Sequence, residues 1–144
     1  MSSRVWIDRG LKCFRHKTEG GDGDVAVRAV RGAIQLDADE SDHILGGVAE
    51  LVATMLDHNA FVADDVVTVI FTATPDLRAE FPAYAARLLG MTDVPLLCAQ
   101  EIDVAGAMPR VVRALVLVET TRPRAEIRHV YLRGAAALRT DLPK

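Results

Sequence analysis

The sequence has few of the residues on which hydrolytic, metal-dependent or disulfide-stabilised proteins depend. It contains three serines, none in a Gly-x-Ser-x-Gly motif, which excludes a serine hydrolase of that type. Two cysteines are too few for a disulfide framework, and the four histidines lack the spacing of metal ligands. The longest apolar runs have the length of a β-strand, so no transmembrane helix is expected. We therefore expect no metal, no cofactor and no membrane association.

Positive charge is carried almost entirely by arginine. There are 14 arginines and three lysines, and every cation between residues 18 and 143 is an arginine. Codon bias in a GC-rich genome accounts for most of this excess, and the planar guanidinium is also suited to binding carboxylates. The net charge of −3 predicts no general attraction to nucleic acid. Because the N-terminus has no apolar secretion signal and cysteine is scarce, a cytoplasmic location is expected.

Residues 1–24 differ in composition from the rest of the chain. They are basic up to residue 18 and rich in Gly, Asp and Glu from 19 to 24, which is typical of a flexible linker. We interpret residues 1–24 as a flexible leader: an expression tag, a regulatory arm or the product of a mis-assigned start. Residues 25–144 are predicted to form one domain with its own core.

The apolar periodicity predicts an α+β fold with a small mixed β-sheet, one long amphipathic helix and one short helix. Asp39 is the expected N-cap of the long helix and Asn59 its terminator, and the short helix covers residues 81–89. Residues 135–138 are weakly strand-like. The strands are predicted at 25–32, 66–71, 95–99, 111–118 and 127–132. The second face of this sheet also looks apolar, which indicates self-association.

Arg113 is the most unusual single residue, because it interrupts the apolar run from 111 to 118. An unpaired arginine is costly to bury, so Arg113 either faces outward from the strand or is presented to an anion in a cleft. Several further polar residues sit at the ends of predicted strands, without any nucleophile–base motif or glycine-rich phosphate loop. This equipment favours a pocket that binds a small polyanion and acts on it through electrostatics.

Seven stretches of the chain resemble those of the small monofunctional chorismate mutases of the AroH class, in the same order and spacing. The resemblance covers residues 27 to 142, and its stretches are Val30–Ala33, Thr72–Leu77, Phe81–Ala83, Val94–Pro95, Cys98–Val104, Ile127–Leu132 and Leu138–Arg139. It implies an α+β fold and a homotrimeric pseudo-barrel assembly with active sites at the subunit interfaces. The implied reaction is the rearrangement of the dianion chorismate to prephenate, on the route to phenylalanine and tyrosine.

The resemblance also implies roles for ten residues. Arg31, Arg113 and Tyr131 would hold the enolpyruvyl side chain, and Arg113 would also contact its ether oxygen. Glu101 and the segment around Cys98 would meet the ring hydroxyl. The other five would surround the pocket: Phe81, Ala83 and Leu138 as walls, and Arg87 and Arg139 near the ring carboxylate.

Two departures from the family pattern and two alternative functions are noted. Tyr84 stands where some relatives have a lysine, and the turn from 89 to 93 is about one residue shorter. The alternatives are a RidA-like imine/enamine deaminase, which is also small and arginine-dependent, and a non-catalytic carboxylate-binding regulatory subunit. Conversion of chorismate would distinguish an enzyme of the mutase family from both.

Overall fold

The structure, a computed structural model, describes residues 23–139. The predicted leader falls mostly on residues 1–22, which lie outside the described residues, as do residues 140–144. Within the described range there are five strands and two α-helices: β1 (Ala26–Gln35), α1 (Ser41–His58), β2 (Val66–Ala73), α2 (Pro82–Leu88), β3 (Leu96–Gln100), β4 (Val111–Thr120) and β5 (Val130–Leu132). Short 3-10 helices lie at Ala63–Asp65, Arg124–Glu126 and Arg133–Leu138. No helix of residues 23–139 is both long and apolar enough to cross a membrane.

All five strands form one mixed sheet with the order β3-β2-β4-β1-β5. The central strand β4 runs antiparallel to both β1 and β2, whereas β5 is parallel to β1 and β3 is parallel to β2. This arrangement confirms the predicted α+β class.

The hydrophobic core lies between α1 and one face of the sheet. The apolar stripe of α1 is fully buried against every second residue of β1, β2 and β4, because side chains alternate between the two faces of a strand. Gly32 of β1 lies directly beneath α1, and a Cβ at this position would collide with the Met55 side chain. The buried helix residues are Ile44, Val48, Leu51, Val52 and Met55.

The second face of the sheet, which α1 does not cover, is partly apolar and open. Ile70, Leu97 and Leu115 lie side by side on it, since residues in direct register point to the same face. Leu97 is 60% exposed and Leu115 is 37% exposed. The prediction of an apolar second face is therefore confirmed for these strands.

Several predicted boundaries are wrong, and each has a local reason. β1 continues past Gly32 to Gln35 because Ala33 and Ile34 still pair with β4. The last strand begins at Val130 and not at residue 127, since a 3-10 turn ends just before Ile127. Residues 135–138 are not a strand but part of a 3-10 helix, in a stretch of alanines without the β-branched side chains that favour strands.

The start of α1 is also different from the prediction. Its N-cap position is Glu40, whereas Asp39 accepts hydrogen bonds from the backbone N–H groups of Arg78 and Ala79 at 2.8 and 2.9 Å. Asp39 thus ties the start of α1 to the loop before α2 instead of capping its own helix. The predicted terminator is confirmed, because Asn59 is the C-cap residue of α1.

Candidate active site

Arg113 points away from the core, onto the second face of the sheet. Its neighbours Val112 and Ala114 are buried beneath α1, so the alternation of β4 sends the Arg113 side chain to the opposite side. The side chain retains 39% of its exposure. The guanidinium therefore remains accessible to a ligand while its stem lies on the sheet.

Glu101 fixes the direction of the Arg113 guanidinium. A Glu101 carboxylate oxygen forms an ion pair with Nη1 of Arg113, and the other oxygen accepts a hydrogen bond from Thr72 Oγ1 at 2.7 Å. The backbone N–H of Glu101 donates to the carbonyl of Ala73 at 2.9 Å, which anchors the residue just after β3. With only 16% of its side chain exposed, Glu101 is held on three sides. The arginine is thus oriented by the protein before any ligand binds.

The register of the sheet places Tyr131 and Arg31 beside Arg113. Arg113 is paired with Ala33 on β1, and Ala33 is paired with Tyr131 on β5, so the three residues form one row across the same face. Ala33 itself is fully buried and packs in one cluster with Val111 and Ala135. Arg31 precedes Ala33 by two residues on β1, so it lies on this face as well.

The C-terminal 3-10 helix adds Leu138 to this row. Leu138 packs with Tyr131 against a small buried cluster that contains Ala33, Val111 and Ala135. Arg139 follows directly, and its charge acts on His129 together with that of Arg31. We refer to Arg31, Glu101, Arg113, Tyr131, Leu138 and Arg139 as the sheet group.

The remaining predicted residues form a second set near α2, which we call the helix group: Phe81, Ala83, Arg87 and Cys98. Cys98 Sγ accepts a hydrogen bond from the backbone N–H of Ala83 at 3.3 Å, and this contact joins β3 to the first turn of α2. Phe81 is 72% exposed at the N-cap of α2. Phe81 and Cys98 line a shallow cavity of about 330 Å³. Arg87 is exposed in the last turn of the helix.

The two groups lie on different sides of the sheet. Cys98 is in register with Phe71, which is buried beneath the helices, so Cys98 points to the helix-covered face. Arg113 is in register with Thr72 and points to the opposite face. The fold therefore places the predicted residues in two separate groups on opposite sides of the sheet, instead of in one enclosed pocket.

The turn after β2 is hydrogen-bonded to the start of β4, the strand that carries Arg113. The Thr74 hydroxyl accepts a hydrogen bond from the backbone N–H of Val111 at 3.0 Å, and Asp76 accepts one from the backbone N–H of Arg110 at 2.8 Å. Although burial acts to raise the pKa of Asp76, its hydrogen bonds with the Thr74 side chain and the Arg110 backbone lower it below the usual value. The turn after β2 thus anchors the start of β4.

Sequence reasoning missed two residues that contact the sheet group. Thr72 donates to Glu101, and His129 Nδ1 accepts a hydrogen bond from the backbone N–H of Arg31 at 3.1 Å. His129 stands out in the sequence only as one of four histidines without metal-ligand spacing. A polar residue directly before a strand, two positions from a candidate tyrosine, is the signal that could have identified it.

The ionisable residues of the described chain do not assemble into a metal site. No group of three or more His, Cys, Asp or Glu side chains in residues 23–139 lies close enough to hold a metal ion. The charged groups of the sheet group are instead guanidiniums and one carboxylate. Such groups bind carboxylates and stabilise negative charge directly.

Comparison with known proteins gives a consistent family. The model of the family described as chorismate mutase type I matches residues 27–142. The chain is 47% identical to chorismate mutase AroH of Thermus thermophilus over 117 residues, which is 81% of this chain and 96% of that protein. It is 40% identical to chorismate mutase AroH of Bacillus subtilis (strain 168) over 117 residues, covering 81% and 92% of the two chains. A solved chorismate mutase from Clostridium thermocellum superimposes with a TM-score of 0.75 at 39% identity, covering 76% of this chain and 98% of that one.

Proposed function

We propose a mechanism for the reaction of this chain, which belongs to the chorismate mutase type I family. The protein is a chorismate mutase, an isomerase that converts chorismate to prephenate in the biosynthesis of aromatic amino acids. The deaminase and regulatory-subunit alternatives have no support from these relatives. The family match also supports our proposal that residues 25–144 form the catalytic domain and residues 1–24 a separate leader.

The chemistry of the rearrangement explains which groups are useful. The reaction is an intramolecular [3,3] shift in which one C–O bond breaks and one C–C bond forms, and no proton is transferred. When C–O cleavage runs ahead of C–C formation, negative charge develops on the ether oxygen and the enolpyruvyl fragment. A fixed cation directed at that oxygen binds the transition state more tightly than the substrate and so raises kcat.

Arg113 is the residue to which we assign this role. The supporting observation is that Glu101, itself held by a hydrogen bond from Thr72, fixes the Arg113 guanidinium on an open face, so little reorganisation is needed during the reaction. Arg31 and Tyr131, on the same face, would bind the enolpyruvyl carboxylate and select the compact conformer in which the reacting carbons approach. Glu101, besides orienting Arg113, would accept a hydrogen bond from the ring hydroxyl.

We further propose that each active site is completed by a second copy of the chain. The sheet group and the helix group lie on opposite sides of the sheet, so a single copy does not surround one small molecule with both. The open apolar face around Leu97 and Leu115 offers a surface for packing against a neighbour. A homotrimer, as the family resemblance implies, would bring the helix group of one copy, with Phe81, Ala83, Arg87 and Cys98, to the sheet group of the next.

Arg139 and Arg87 are assigned to the mouth of this shared site. They would attract the ring carboxylate of the dianionic substrate, with Leu138 as a wall of the pocket. The proposed location is the cytoplasm, for which the low cysteine content is the supporting observation.

The direct test of this function is turnover of chorismate by the purified protein alone. We expect the ultraviolet absorbance of chorismate to decay much faster than in buffer, with an equal amount of prephenate formed. Binding of chorismate without conversion would support the regulatory-subunit alternative and contradict the proposal.

A further inference from the structure

His129 occupies a distinctive position beside the sheet group. β5 is parallel to β1 with Gly32 opposite Val130, so His129 is the residue opposite Arg31 where this pairing begins. At this point the backbone N–H of Arg31 donates to the imidazole Nδ1 of His129 at 3.1 Å. A side chain therefore provides the bond that fastens β1 at Arg31 to the strand that carries Tyr131.

This hydrogen bond requires a neutral imidazole, because a protonated Nδ1 has no lone pair to offer. Burial, together with the charges of Arg31 on β1 and Arg139 after the C-terminal 3-10 helix, lowers the pKa of His129 below its usual value of 6.5. Both neighbouring charges are cations, and both favour the neutral ring. At neutral pH the imidazole is thus available as an acceptor.

We propose that His129 is a positioning residue that holds Arg31 at a fixed distance from Tyr131 through its neutral imidazole. The inference rests on the proposed function, in which Arg31 and Tyr131 both bind the enolpyruvyl carboxylate of the substrate. His129 takes no part as an acid or base, since the rearrangement transfers no proton. Its contribution is to keep two binding groups from separate strands in one geometry.

Two substitutions separate the hydrogen bond from other properties of the side chain. His129→Asn carries an amide oxygen that can take the place of Nδ1 as acceptor and does not titrate. His129→Leu fills similar space without an acceptor. We expect the leucine variant to lose roughly five- to tenfold in kcat/KM, about the effect of one neutral hydrogen bond, mostly through a higher KM. The asparagine variant is expected to stay near the wild-type value at neutral pH.

The pH profile gives a readout that a merely structural role would not change. As the pH falls through the lowered pKa of His129, protonation breaks the bond to Arg31, so kcat/KM of the wild type should decline on the acid side. His129→Asn should lack this decline. Equal profiles for wild type and His129→Asn would overturn the inference. A rise in kcat/KM on acidification in the wild type alone would also overturn it, since the imidazolium would then be acting as a cation toward the dianion.

A third variant distinguishes failure of this inference from failure of the proposed function. If Arg31→Ala lowers kcat/KM strongly but His129→Leu does not, Arg31 has its proposed role and only the positioning role of His129 is wrong. If Arg31→Ala itself is silent, the proposed role of Arg31 fails and the inference fails with it. Should His129→Leu not fold, as judged by circular dichroism, the comparison of the wild-type and asparagine profiles decides the question by itself.

Discussion

Replacing Arg113 is the most informative perturbation of the proposed mechanism. Arg113→Ala removes the guanidinium from the second face of the sheet and leaves the core side of β4 unchanged, because Val112 and Ala114 carry the packing. Arg113→Lys keeps the charge but loses the planar fork that could contact the ether oxygen and a carboxylate together. The two variants thus test charge and geometry separately.

The structure allows the size of each effect to be estimated. Loss of one preorganised donor to a developing oxyanion costs roughly 10²–10³ in kcat, equivalent to about 2.7–4 kcal/mol, and Arg113→Ala is expected to lose at least that much. The cost to folding should be smaller. Because the Glu101 side chain is only 16% exposed, loss of its cationic partner should cost about 1–3 kcal/mol, and Thr72 still donates to the carboxylate after the substitution.

Kinetics and unfolding should be measured on the same preparations. kcat and KM come from the decay of chorismate absorbance, and stability comes from urea unfolding followed by circular dichroism. Arg28→Ala is the matched control: it removes an arginine from β1 whose side chain donates to the carbonyl of Arg122, outside both groups. A folded Arg113→Ala protein with near-normal kcat, or an equal loss in Arg28→Ala, would refute the assignment of the ether-oxygen contact to Arg113.

Three further predictions follow from the contacts around the site. Asp39→Ala should cost about 1 kcal/mol of stability and raise KM, because two backbone N–H groups of the loop before Phe81 lose their acceptor. Asp39→Asn keeps an acceptor oxygen, so its stability and KM should stay near the wild-type values. Equal effects of the two variants would contradict this prediction. The pKa of Asp76 is lower in the folded protein than its usual value of 3.8, so the ionised carboxylate stabilises the fold above pH 3.8, and this contribution is lost as the pH falls through the folded-state pKa. The urea midpoint should therefore drop more between pH 7 and pH 3 in the wild type than in Asp76→Asn. Parallel drops in the two proteins would refute this linkage. Turnover should survive a chelator and exhaustive dialysis, and activity that is lost and then restored by adding metal would show that the mechanism is wrong.

The order and type of the main elements could be predicted because they depend on short-range patterns. The stripe of α1 and the β-branched run of β2 are visible within a window of a few residues. The predicted element boundaries were wrong where the true boundary depends on residues distant in sequence. β1 extends beyond Gly32 because it pairs with β4. Asp39 does not cap its own helix because its side chain accepts hydrogen bonds from the backbone N–H groups of residues 78 and 79.

The candidate site residues come from the sequence pattern and the family resemblance, and their contacts with one another could not be predicted from either. Arg113 was evident as a charge within an apolar strand. The ion pair between Arg113 and Glu101 could not be predicted from the sequence, because the position of Glu101 depends on the hydrogen bond from its backbone N–H to the carbonyl of Ala73. The contact between His129 and Arg31 joins residues 98 positions apart, so only the sheet topology brings them together.

The central claim, that each site combines the sheet group of one copy with the helix group of another, is tested most directly by mixing two inactive variants. Arg113→Ala disables the sheet group, and Phe81→Asp places a negative charge in the helix group, at a side chain exposed enough to leave the fold intact. After co-refolding of equal amounts, random assembly into a closed ring leaves about a quarter of the shared sites with both groups unaltered, so activity should return to roughly a quarter of the wild-type value. Activity that stays at the level of the separate variants, in mixtures shown to contain mixed oligomers, would mean that each copy holds its whole site and would contradict the account.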